Sequence, residues 1–87
     1  MSSVVFTLQV PAEPPYRALA GDVAARYVEV AGGGGTAAAS VAAEVRRAAD
    51  VLATAGTAID LTFMRGAEGL EVVLSCGGRT ERVTSPL

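Results

Sequence analysis

The stretch from Thr36 to Gly56, TAAASVAAEVRRAADVLATAG, most restricts how this chain can fold. Apolar residues recur in it at steps of three and four, which is the spacing of one helix face. The predicted inward stripe consists of Val41, Val45, Ala48, Leu52 and Ala55. Thr36 can cap the start of this helix, and Gly56 can adopt the left-handed conformation that ends one. We therefore predict a single long helix over 36–56.

The charged residues of this helix lie off the stripe, at Glu44, Arg46, Arg47 and Asp50. Arg46 and Asp50 are spaced for an ion pair within the helix, worth a few tenths of a kcal/mol at a surface. The adjacent Arg46 and Arg47 could contact an acidic partner. The alternative for all four residues is an ordinary solvated helix face.

A strand and a second helix precede the long helix. Residues 4–10 alternate, with Phe6, Leu8 and Val10 on one face, which predicts a half-buried strand. Prolines then end the strand and suit the first turn of a helix. The predicted buried face of that helix consists of Tyr16, Leu19, Val23, Tyr27 and Val30, and Gly21 could mark a tight helix contact.

Four glycines, Gly32 to Gly35, separate the two predicted helices. Backbone N–H groups of a glycine run before a helix can cradle a phosphate. A flexible connection is the simpler interpretation, because no GK[ST] sequence follows and no strand precedes the run.

After Gly56 the period changes to that of strands. We predict strands over 59–64, 70–76 and 79–84, joined by a turn over 65–69 and a tight turn at Gly77-Gly78, with residues 85–87 as a frayed tail. One face of each strand is apolar, so both helices should pack on one side of the sheet. The predicted fold is a single α+β domain over 1–87, a two-layer α/β sandwich with a mostly antiparallel sheet and the order strand-helix-helix-strand-strand-strand.

Composition excludes several kinds of site. A net charge of -2 argues against the usual basic nucleic-acid surface. A chain without histidine and with one cysteine is expected to have neither a zinc site nor a histidine-based catalytic pair of its own. We expect Cys76 to be a buried, unreactive thiol. There is no apolar run of membrane-spanning length and no signal-peptide pattern, so we expect a cytoplasmic protein that does not contact a membrane.

The predicted polar face of the sheet carries the remaining candidates. Asp60 and Glu71 could suggest acid–base chemistry, although a solvated sheet surface is the default. Val5, Met64 and Val73 give the same face an apolar component, which could serve a homodimer or another protein.

The order FTLQV, a proline-rich bend, PPYRALAGDVAARYV, a glycine break and SVAAEVRRAADVLA resembles the bacterial anti-sigma-factor serine kinases, which belong to the GHKL group of ATPase domains with the histidine-kinase catalytic domain. In that family the second long helix carries a glutamate and, four residues later, an asparagine that holds magnesium. Glu44 matches the glutamate, whereas Ala48 stands at the asparagine position and cannot bind metal. Residues 74–78 match the adenine-binding motif in their glycines but lack its aspartate.

The resemblance implies a reduced relative that kept the scaffold and lost the nucleotide site, with Glu44 as a remnant and no catalytic residue, metal or cofactor. We therefore expect a non-catalytic regulatory module that contacts a protein partner, such as a sigma factor, an antagonist or a kinase-like regulator. The predicted interaction residues are Arg46, Arg47, Met64 and Val73. One alternative is an ATP-dependent serine/threonine kinase with ATP, magnesium and an atypical site. The other is a small self-associating structural domain.

Overall fold

A computed structural model describes residues 3–54, 56–67 and 69–86. Its elements are strand β1 (Ser3–Val10), helices α1 (Pro14–Val30) and α2 (Gly35–Leu52), and strands β2 (Ile59–Gly66), β3 (Gly69–Cys76) and β4 (Arg79–Ser85). The strands form one antiparallel sheet with the spatial order β1-β2-β3-β4. This arrangement confirms the predicted α+β layout and element order.

The core lies between the helix layer and one face of the sheet. Its largest fully buried side chains are Phe63, Leu52, Ile59, Leu61, Leu70 and Leu74. Phe6 stacks on Phe63 with ring centroids 4.3 Å apart, and the edge of Tyr27 meets both rings. These aromatic contacts fix the C-terminal half of α1 above β1 and β2.

The start of α2 differs from the predicted cap. Gly34 occupies the N-cap position with extended backbone, and its carbonyl accepts a hydrogen bond from the Ala38 N–H. The helix therefore begins at Gly35, one residue before the prediction. Thr36 lies inside the first turn and makes no capping hydrogen bond.

The end of α2 comes earlier than predicted. The helix stops at Leu52 because Ala53, with φ -56° and ψ 126°, leaves the helical conformation, and the chain then turns between Thr54 and Thr57. Gly56 does have the left-handed conformation, with φ +81°, but it serves this turn and not a helix end. Four members of the predicted stripe, Val41, Val45, Ala48 and Leu52, are buried as expected, and Ala55 lies outside the described residues.

The buried face of α1 is not the predicted one. Its buried residues are Ala20, Gly21, Ala24 and Val28. Tyr16, Leu19 and Val30 are exposed, and only Val23 and Tyr27 of the predicted stripe are partly buried. These small residues let α1 approach α2 closely. The close contact between the helices, and not burial of the larger apolar residues, determines how α1 is rotated about its axis.

The glycine run is divided between two helix ends. Gly32 has φ +98°, and the Gly33 N–H donates to the Val28 carbonyl at 2.8 Å, which is the hydrogen bond of a Schellman motif. Gly34 is the N-cap of α2, as described above. The run therefore ends one helix and begins the next.

The strands are longer than predicted at the β2–β3 turn and at the C-terminal end. Gly66 pairs with Gly69, so the turn is shorter than the predicted 65–69 loop. Ser85 pairs with Leu70 and is buried, so it belongs to β4 and not to a frayed tail. Of the other two predicted tail residues, Pro86 is exposed and lies outside the strand, and residue 87 lies outside the described residues.

Candidate functional site

The helices cover one face of the sheet and leave the other, here called the open face, uncovered. Strand alternation and pairing place three cross-strand rows on it: Gln9-Asp60-Ser75-Thr80, Thr7-Thr62-Val73-Arg82, and Val4-Met64-Glu71-Thr84. Threonine and charged residues predominate, with a smaller apolar component. A flat surface of this kind on a fixed scaffold suits contact with another macromolecule more than it suits enclosure of a small molecule.

The apolar part of the open face consists of Val4, Met64 and Val73. Met64 pairs with Val4 of β1, and Val73 lies diagonal to Met64 on β3. Val4 takes the place predicted for Val5 because a β-bulge shifts the register between Val4 and Phe6. A strict period of two cannot show an inserted residue, and the sequence therefore gave no indication that Val4 belongs here.

Asp60 and Glu71 do share the open face, but they do not form a pair. Asp60 lies opposite Ser75, which is four residues from Glu71 along β3 and therefore about 13 Å away at a rise of about 3.3 Å per residue. The Gln9 amide donates to Asp60 at 2.8 Å, and Arg82 forms an ion pair with Glu71 at 2.8 Å. Each carboxylate therefore contacts its own cross-strand neighbour, and this geometry does not support shared acid–base chemistry.

Arg46 and Arg47 lie on the helix layer, across the molecule from Met64 and Val73. The four predicted interaction residues therefore fall on two separate surfaces. Arg47 donates to Glu44 at 3.3 Å within α2. Its charge is already balanced locally in this exposed pair.

Arg46 contacts α1 and not the predicted Asp50. Its guanidinium donates to Asp22 at 3.2 Å, and its side chain lies against Gly21. Asp50 instead lies 3.3 Å from the Nε of Arg17. The predicted pair within α2 is thus replaced by two ion pairs that join α1 to α2.

The positions singled out by the family resemblance have clear locations. Glu44 is exposed beside a groove between the start of α2 and the end of β4, which Ser40 and Pro86 also line. Ala48 is fully buried in the core. Gly77 and Gly78, both with positive φ, form the whole turn that joins β3 to β4.

Cys76 is buried, and its thiol lies 3.7 Å from the Thr57 carbonyl. This location agrees with the expectation of a buried thiol. Within residues 3–54, 56–67 and 69–86, no three histidine, cysteine or acidic side chains come together as a metal site. In the same part of the chain, no helix is long and apolar enough to cross a membrane.

Comparisons with family models, curated proteins and solved structures found no match to this chain.

Proposed function

We propose that this protein is a non-catalytic regulatory module, related to the anti-sigma-factor kinases, that acts by binding another protein in bacterial signalling or transcription control. The observation that carries the proposal is the open face. There Val4, Met64 and Val73 form an apolar strip within a polar surface, on strands held rigid by the core. Interfaces commonly combine an apolar centre with a polar rim.

Two further observations support a scaffold without its nucleotide chemistry. The methyl group of Ala48, at the position of the magnesium-binding asparagine, is enclosed by the core and offers no ligand atom. In the family that the chain resembles, a flexible lid that covers ATP lies at this connection. Here the Gly77-Gly78 turn joins β3 to β4 directly, so this connection has no residues to form such a lid. Both features favour binding over phosphoryl transfer.

The partner proposed is a sigma factor, an antagonist or a kinase-like regulator, and the location proposed is the cytoplasm. The open face offers such a partner threonine hydroxyls and the Glu71–Arg82 ion pair around the apolar strip. Partner contacts would bury Val4, which is 61% exposed in the chain alone.

An active kinase remains the competing function, and exposed Glu44 beside the α2 groove is the observation in its favour. A thermal-shift titration with ATP, ADP and magnesium separates the two, because a ligand that binds the folded state raises the melting temperature. We expect no shift at millimolar nucleotide. A saturable, magnesium-dependent shift would overturn the non-catalytic proposal.

Partner capture tests the open face directly. We expect Val73→Lys to abolish capture of a specific protein from an extract of the source cells, because it places a charge in the apolar strip. Val51→Lys is the matched control, since Val51 is a half-exposed valine of α2 on the helix layer. If both variants lose capture equally, and circular dichroism shows that both are folded, the open face is not the binding surface.

A further inference from the structure

The two edges of the sheet differ sharply in charge. Strand β1 has no charged side chain over Ser3–Val10. Strand β4, at the other edge, carries Arg79, Glu81 and Arg82. Charged side chains are one of the usual means by which an edge strand is kept from pairing with another chain. A bulge and a following proline are present in β1 as well, so the two edges differ in their charges, which β4 has and β1 lacks.

Apolar side chains continue from the β1 edge onto the adjacent helix. Phe6 of β1 and Val23, Tyr27 and Val30 of α1 line a mainly apolar groove beside this edge, and Arg26 also lines it. Val30 is 78% exposed, although it is a large apolar residue. The unpaired strand edge and the exposed groove thus form one continuous surface, here called the β1–α1 edge.

We propose that the β1–α1 edge binds a second copy of this chain, with the two β1 strands antiparallel about a two-fold axis and the two sheets joined into one of eight strands. A two-fold axis places each surface against its own copy, so the surface must be self-complementary. Strand β1 meets this condition because no like charges oppose each other when two uncharged strands pair. A paired copy would also supply partners for the outer backbone groups of β1.

The charges on α1 complement each other in the same arrangement. A two-fold axis that relates two paired β1 strands is perpendicular to the sheet and passes beside the middle of β1, near Phe6. Because Phe6 packs against Tyr27, with ring centroids 5.6 Å apart, the same axis passes close to Tyr27 in the C-terminal half of α1. The two α1 helices then run antiparallel beside that axis, which brings Arg26 of one copy towards Glu29 of the other. Within the described residues, neither Arg26 nor Glu29 forms an ion pair in the single chain.

The proposed dimer is independent of the proposed partner binding, because it uses the strand edge and α1 and leaves the open face of both copies free. Its test uses the purified full chain without nucleotide or partner. A failed dimer and a failed regulatory function would therefore give different results.

Light scattering during size-exclusion chromatography and sedimentation equilibrium measure the outcome. We expect a mass twice 8.8 kDa at high concentration, with a melting temperature that rises with concentration by mass action. A monomer throughout the concentration range, from about 5 to about 500 µM, would overturn the proposal.

Matched variants locate the interface. Thr7→Lys should shift the protein to monomer, because it places like charges close together on the two β1 strands beside the axis. Thr80→Lys is the control: it makes the same change on the open-face side of β4 and should leave the dimer intact. Val30→Asp should weaken the dimer at least tenfold, with Val51→Asp as its control on α2. A dimer that Thr80→Lys disrupts as strongly as Thr7→Lys would place the interface elsewhere.

The other candidate occupant of this edge is an extended segment of another protein. In that case the wild-type chain would be monomeric, and its β1 amides would gain protection from hydrogen exchange only when an added peptide binds. This result would assign the edge to such a segment and would overturn the proposed dimer. All variants are compared after circular dichroism and thermal melting have shown that they fold.

Discussion

At the scale of single residues, Gly21 determines how closely the two helices approach. A Cβ atom at this position would lie 2.7 Å from Cγ of Arg46 and 3.0 Å from the Ala42 carbonyl oxygen. The Arg46 side chain can move, but the carbonyl belongs to the backbone of α2. Glycine therefore lets Arg46 cross the contact between the helices and reach Asp22.

Substitution of Gly21 should destabilise the protein by overpacking this contact. We expect Gly21→Val to lower the free energy of unfolding by about 1–3 kcal/mol. Gly35→Ala is the control, because a Cβ there meets nothing within 4 Å, and it should be neutral or stabilising by up to about 1 kcal/mol. Urea denaturation followed by circular dichroism measures both, and equal effects would contradict the close-contact explanation.

The thiol of Cys76 provides a second residue-level prediction. It is buried at 3% exposure, so a thiol reagent can reach it only after the strand opens. We expect Ellman's reagent to react slowly with the native protein and at once in denaturing urea. Rapid reaction of the native protein would show that β3 opens locally.

At the scale of elements, the sequence predicted what periodicity specifies and missed what local contacts decide. The order of elements, the four described members of the inward stripe of α2 and the buried faces of β2 and β3 were predicted correctly because burial follows their periods. The rotation of α1 was not, because alanine and glycine at Ala20, Gly21 and Ala24 carry little hydrophobic signal yet form its contact with α2. The bulge in β1 and the cross-helix pairs of Arg46 and Asp50 depend on tertiary neighbours that a single sequence does not show.

The β3–β4 turn gives the element-level prediction. Gly77 has φ +58° and Gly78 has φ +84°, which are the signs required at both central residues of a type I′ turn. Asparagine tolerates this conformation and a β-branched residue does not. Gly77→Asn should therefore change the free energy of unfolding by less than about 0.5 kcal/mol, while Gly77→Val should cost about 1–3 kcal/mol.

Thermal or urea denaturation of the two variants decides this prediction. Equal stabilities for Gly77→Asn and Gly77→Val would contradict the requirement for positive φ. Retention of the β-sheet signal in both would show that the change concerns the turn and not the pairing of the strands.

At the scale of the whole molecule, stability depends on one thin core. A chain of 87 residues has a modest core, and much of its apolar content is alanine. The stacked rings of Phe6 and Phe63, with Tyr27 at their edge, provide much of the large apolar volume beneath α1. Loss of one such ring is therefore comparable with the total stability of a domain this small.

Phe63→Ala should leave most of the protein unfolded at 25 °C, because truncation of a buried phenylalanine costs about 3–5 kcal/mol. Far-ultraviolet circular dichroism and a urea titration measure the folded fraction. Val51→Ala, at a half-exposed position of α2, should remain within about 0.5 kcal/mol of wild type. A fully folded Phe63→Ala variant would mean that the core tolerates the cavity.

The pairing of β1 with β2 also sets an order of events during folding. Strands β2, β3 and β4 are joined by short turns, so they can pair through contacts that are local in the sequence. The pairing of Val10 with Ile59 instead closes a long loop that contains both helices, and this closure costs more chain entropy. Strand β1 should therefore join last, and pulse-labelled hydrogen exchange during refolding should protect its amides after those of β3. Until it joins, β2 is a bare edge rich in apolar residues, so the interval before β1 docks is the time when a newly made chain is most exposed to aggregation.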